Sequence, residues 1–200
     1  EGEQVEVTIP VLKLKEVPLK FEFSNVPAGY DPAELNASIS PATIRIAGAA
    51  DTVDGIESVN AGFINLARVQ LGKAETLKIQ LSEGLVNVDD VQEATVTFDT
   101  SGYGEPRAIT VSDIRVVNAP SGVDVKVITE SINNVTLVGE AEELAAISPS
   151  DVIAQVDASA QNITVKGSGQ QQFSAQIIVT GTKTVFATGA YSVLCDITVK

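Results

Sequence analysis

The chain has 200 residues, 26 of them acidic and 13 basic, with a net charge of −13, no histidine and a single cysteine. That charge repels phosphate backbones and argues against nucleic acid as a partner. The missing histidine removes Ser–His–Asp and Cys–His catalysis and imidazole metal sites, while one cysteine excludes a disulfide framework, a four-cysteine zinc site and an iron–sulfur cluster.

Strand patterning runs the length of the chain. Gln4–Ile9 alternates apolar and polar residues, as do Leu19–Phe23, Thr43–Ile46, Ala94–Phe98, Val123–Val127 and Asp196–Val199. Turn residues punctuate these runs at Pro27–Gly29, Glu83–Gly84, Ser101–Gly104, Pro120–Gly122, Gly167–Gly169 and Thr188–Gly189. Only Val53–Val59 and Glu140–Ile147 suggest helix, each about two turns long. Val, Ile and Thr fill 60 positions against 12 Leu, and β-branched side chains favour pleated surfaces over helices. The expected fold is all-β with minor short helices.

An internal repeat organises these elements. Phe23-Ser-Asn-Val-Pro-Ala-Gly29 aligns with Val116-Val-Asn-Ala-Pro-Ser-Gly122, so Asn25, Pro27 and Gly29 match Asn118, Pro120 and Gly122. Ile44-Arg-Ile-Ala-Gly48 then aligns with Val135-Thr-Leu-Val-Gly139. Each of Gly48 and Gly139 precedes a short amphipathic segment, then a strand at Phe63–Leu66 or Gln155–Ala158, and finally an alternating strand. The order of matches predicts two copies of one module, residues 16–104 and 105–200, joined closely through Ser101–Arg107. Residues 1–15 are either the tail of a preceding module or the first strand of the first. The start at Glu1 without an initiator Met reads as that of an excised piece.

Asn-x-Pro-x-Gly, Ser40-Pro41, Ile44–Gly48, the Ile/Leu-rich short segment and the Phe63–Leu66 strand together resemble the YbbR-like repeat. Val135–Gly139, Ile147 and Val156-Asp-Ala-Ser159 carry the resemblance through the second copy. It implies tandem YbbR-like β modules with curved antiparallel sheets, placed outside the cytoplasmic membrane behind a transmembrane anchor absent from this stretch. It also implies a regulatory partner, a membrane diadenylate cyclase that makes cyclic di-AMP in Gram-positive bacteria. The repeat brings no catalytic residues and no cofactor. Asn65 stands where the second copy has Asp157, which argues against a shared metal or catalytic role there.

The remaining candidates favour plain roles. Cys195 on the closing strand has no histidine to activate it and reads as a small buried hydrophobe. The acids at Asp51/Asp54, Asp89/Asp90 and Glu140/Glu142/Glu143 lie near turns or short helices and lack calcium-loop spacing. Gly102-x-Gly104 and Gly167-x-Gly169 lack the third glycine of a dinucleotide loop. Asn25 and Asn118 read as turn residues, and Gly48 and Gly139 as sites of positive φ. Residues 1–106 carry 17 acids and 7 bases, against 9 and 6 in 107–200, a charge that would hold the modules off anionic headgroups. The expectation is a non-catalytic module pair that binds a protein partner, with membrane contact only through the anchor. The competing reading is a structural or adhesive surface stalk. A carbohydrate-acting enzyme is disfavoured by the 4% aromatic content and the lack of a paired carboxylate site.

Overall fold

The computed structural model describes residues 11–164 and 166–199. The strand expected at Gln4–Ile9 lies outside the described residues. Strands dominate, as the β-branched composition requires, and the chain divides into two compact units. The first comprises the chain up to Glu22 with Ala37–Ile64 and Lys73–Phe98. The second takes Phe23–Asn36, Asn65–Gly72 and everything from Asp99 onward.

In the first unit, β1 (Lys13–Ser24), β2 (Ala37–Ser40), β3 (Thr43–Gly48) and β4 (Val59–Asn65) are followed by β5 (Glu75–Lys78), β6 (Val86–Asn87) and β7 (Glu93–Phe98). They form two sheets, ordered β4-β1-β3-β6 and β2-β7-β5. Alternation explains the core: Val17, Leu19, Ile44, Ile46 and Ala61 point inward from successive strands and are buried. A short helix α1 (Ala50–Asp54) buries Val53 and stops at Gly55. The expected helix at Val53–Val59 is thus displaced. Gly55 ends the turn, and Val59 already belongs to β4.

The second unit holds β8 (Arg107–Val111), β9 (Asp113–Val117), β10 (Val123–Val127), β11 (Ile132–Val138) and β12 (Val152–Asp157). β13 (Ser168–Val179), β14 (Phe186–Thr188) and β15 (Tyr191–Val199) complete it. Helix α2 (Ala141–Ala146) falls inside the expected Glu140–Ile147 segment. Gly169, expected in a turn, lies inside β13 opposite Ile197, where the ladder with β15 holds it extended.

The strand pairings of one unit recur in the other. β1 pairs antiparallel with β3 over Lys13–Pro18 and also neighbours β4. β8 and β9 divide that role, β8 pairing antiparallel with β11 and β9 parallel with β12. β6 flanks β3 as β14 flanks β11, and β2-β7-β5 repeats as β10-β15-β13. The difference lies at one seam. β12 joins β13 from Val152↔Val179 to Gln155↔Gln176, whereas β4 and β5 are not sheet neighbours.

Candidate functional site

The repeated motif builds two turns of one shape. Asn25 and Asn118 sit at φ 51° and 54°, a left-handed conformation that Asn tolerates better than most residues. Gly29 and Gly122 follow at φ 88° and 78°. Pro27 is buried while Pro120 is exposed. Gly139 has the expected positive φ, at 159°. Gly48 does not adopt one, and at both positions the opposite chain passes too close for a side chain. A Cβ on Gly139 would come 2.5 Å from the Thr184 carbonyl oxygen, and one on Gly48 would come 3.0 Å from that of Gly84.

A cleft of about 450 Å³ opens in the second unit, lined by Asn25, Asn65, Arg68, Gln155, Asp157 and Tyr191 among others. Local hydrogen bonds set its walls. Asn65 Oδ1 accepts the Ala67 N–H at 3.0 Å, and Asp157 Oδ1 accepts the Ser159 N–H at the same distance. The amide and the carboxylate therefore close the same Asx turn, which accounts for the interchange between copies without any metal or catalytic role. Hydrogen bonds from Ser159 and then Asn118 hold the Asp157 carboxyl below its ordinary range. The Tyr191 hydroxyl donates to the Thr188 carbonyl at 2.6 Å and accepts the Thr136 N–H at 2.9 Å, so it is fully engaged. What remains is a cleft of mixed apolar and amide lining with one guanidinium and no nucleophile–base pair. Sequence reasoning singled out Asn25, Asn65 and Asp157 but not Arg68, Gln155 or Tyr191. These come together only through the fold, and nothing in their local pattern marks them.

The other candidates are accounted for individually. Asp54 pairs with Lys13 at 2.5 Å, and the Asp89 carboxylate accepts both the Arg45 side chain and its backbone N–H. Glu143 accepts hydrogen bonds from Thr182 and Thr184, which hold its carboxyl below the ordinary range. Cys195 is fully buried, and desolvation raises its thiol pKa, the opposite of nucleophilic activation. Tyr30 packs against Phe186 with ring centroids 4.4 Å apart. Its buried hydroxyl and that of Tyr103 lie beside each other without a well-formed hydrogen bond, and burial raises both phenol pKa values. Among the described residues no three acidic, Cys or His side chains gather as a metal site requires, and no helix is long and apolar enough to cross a membrane.

The family model for YbbR-like protein matches residues 17–112. This stretch is similar to a YbbR-like domain. The match begins inside β1 and ends just past β8, so it takes in the Asn25–Gly29 turn and the whole β2-β7-β5 sheet. Two solved structures are similar to the chain. SuR18C from Streptococcus thermophilus is 20% identical over 46% of this chain and 89% of its own, with a TM-score of 0.35. A YbbR-like protein from Streptococcus pneumoniae is 18% identical over 100% of this chain and 99% of its own, also with a TM-score of 0.35. No curated protein matches the chain significantly.

Proposed function

We propose that the chain is a non-catalytic pair of YbbR-like modules, residues 16–104 and 105–200, in an anchored regulator outside the cytoplasmic membrane. Its partner in this reading is a membrane diadenylate cyclase, and its output is control of cyclic di-AMP synthesis. The observation that carries the reading is the repeated strand-pairing order, with the family match over the first copy. The absence of histidine and the burial of Cys195 support a binding rather than a chemical role. Residues 1–15 would then be the tail of a further module or the opening strand of the first. The test is to isolate the full-length protein from membranes and look for the cyclase beside it. Co-purification in stoichiometric amounts supports the reading. If no cyclase is recovered, a surface stalk of tandem β modules takes its place.

A further inference from the structure

The cleft in the second unit opens where two strands part. β12 and β13 pair from Val152↔Val179 to Gln155↔Gln176. Beyond that point β12 runs on beside β9 as far as Asp157↔Val117, while β13 pairs with β15 from Ala175↔Tyr191. The facing edges of β12 and β13 therefore separate at Gln155 and Gln176.

Single amides bridge the gap. The Ser174 N–H donates to Gln161 Oε1 at 3.2 Å, so a side-chain carboxamide takes the place of a strand carbonyl. Farther along, Gln171 Oε1 accepts the Thr164 N–H at 2.9 Å and Gln171 Nε2 donates to the Asn162 carbonyl at 2.6 Å. Here β13 is joined to the segment after β12 by individual amides rather than by a ladder. Amide donors and acceptors are what a peptide backbone offers.

Gln155, Gln176 and Arg68 line the cleft, and none of their side chains has a hydrogen-bond or ionic partner among the described residues. Gln155 and Gln176 are direct cross-strand partners, so both carboxamides stand on one face of the sheet. Arg68 is placed by its turn. The Ala67 carbonyl accepts the Gly189 N–H at 2.6 Å, which ties this turn to the connection before β15. Much of the remaining wall is small and apolar, with Ala160, Ala187, Ala190 and Ile177 beside the Tyr191 ring. The Asp157 carboxylate, held by Asn118 and Ser159 rather than by Arg68, puts a negative charge in the same cleft.

We propose that the fork between β12 and β13 binds a short peptide with a free C-terminal carboxylate and small apolar side chains. Arg68 pairs with the carboxylate, and Gln155 and Gln176 meet the main-chain amides. The alanine-lined wall admits small side chains and leaves little room for large ones. A volume of about 450 Å³ lies within the range of small-ligand sites. A neutral sugar would leave the Arg68 charge unmatched, and a multiply charged phosphate would be repelled by Asp157. The inference holds whichever membrane partner the modules serve.

Titration of the intact, isotope-labelled chain with trialanine, followed by NMR, tests it. The side-chain amide signals of Gln155 and Gln176 and the backbone signal of Ala190 should shift and saturate with a Kd of about 1 mM, the scale for a ligand of this size. Arg68 is exposed, so Arg68→Gln should leave the fold intact and weaken binding by about tenfold or more. Trialanine amide, which lacks the carboxylate, should lose a similar factor on the wild-type chain, and Arg68→Gln should then cost it nothing further. The proposal is overturned if no signal saturates at about ten times that Kd, or if the saturating shifts lie away from the fork. It is equally overturned if Arg68→Gln binds trialanine unchanged or if the amide binds as tightly as the acid.

Discussion

Arg107 serves α2 as Lys15 serves α1. Arg107 Nη1 donates to the carbonyl oxygens of Leu144 at 3.2 Å and Ile147 at 2.8 Å. Lys15 Nζ donates to those of Val53 at 3.4 Å, Asp54 at 3.2 Å and Ile56 at 2.6 Å. Both helices end without a basic residue in their own last turn, so a cation from the neighbouring strand satisfies the open carbonyls.

Removing either cation should loosen its unit. Arg107→Ala and Lys15→Ala are each expected to cost about 1.5–3 kcal/mol, the range for hydrogen bonds to charged groups. Lys15→Met, which keeps the aliphatic stem, should cost nearly as much if the carbonyl contacts matter most. Urea unfolding of each variant provides the comparison, and an unchanged midpoint would contradict it.

The two close-packed glycines, Gly48 and Gly139, should differ in degree. A Cβ at Gly139 meets the Thr184 carbonyl oxygen at 2.5 Å and Val185 Cα at 2.7 Å, both backbone atoms that cannot swing aside. At Gly48 the nearest atoms are 3.0 Å away, and one is the mobile tip of Leu85. Gly139→Ala is therefore expected to destabilise by about 3 kcal/mol and Gly48→Ala by about 1 kcal/mol, following the usual cost of overpacking. Equal losses in thermal denaturation would mean that the chain relaxes around Gly139 more easily than its geometry implies.

Much of this was legible in the sequence. The runs at Thr43–Ile46, Ala94–Phe98 and Val123–Val127 lie in β3, β7 and β10, because period-two alternation is strong where one sheet face is buried. The helix near residue 53 was misplaced because Val53, Ile56 and Val59 mimic helical spacing, although only Val53 is on the helix. Gly139 adopts the positive φ expected of it, whereas Gly48 is required by the close approach of a distant segment, which leaves no local signature. The cleft was legible only in part. Its Asn25, Asn65 and Asp157 belong to repeated turns, but Arg68, Gln155 and Tyr191 reach it from separate segments.

Tyr191→Phe isolates one buried polar junction. It deletes the hydroxyl shared by the Thr136 N–H and the Thr188 carbonyl while leaving the ring in place. Two backbone groups lose a partner at once, so the expected cost is about 1–3 kcal/mol. Faster amide exchange at Thr136 is the accompanying sign. Unchanged exchange there would show that water replaces the hydroxyl.

Stability should be flat near neutrality and fall on acidification. Asp89, Asp151, Asp157 and Glu143 all have carboxyl pKa values lowered in the fold by hydrogen bonds. The unfolded chain takes up these protons first, so their contribution is present above about pH 4, the ordinary carboxylate range, and is lost as pH falls through the lower folded values. With no histidine, no side chain of ordinary pKa titrates between about pH 6 and 8. A melting temperature that changes steeply across neutral pH would contradict this.

In the proposed function, these modules bind and regulate a membrane diadenylate cyclase. The most direct measurement is the cellular level of cyclic di-AMP after deletion of the full-length gene and after its restoration. The account predicts that the level changes on deletion and returns on restoration. A level that stays constant through both steps would contradict it.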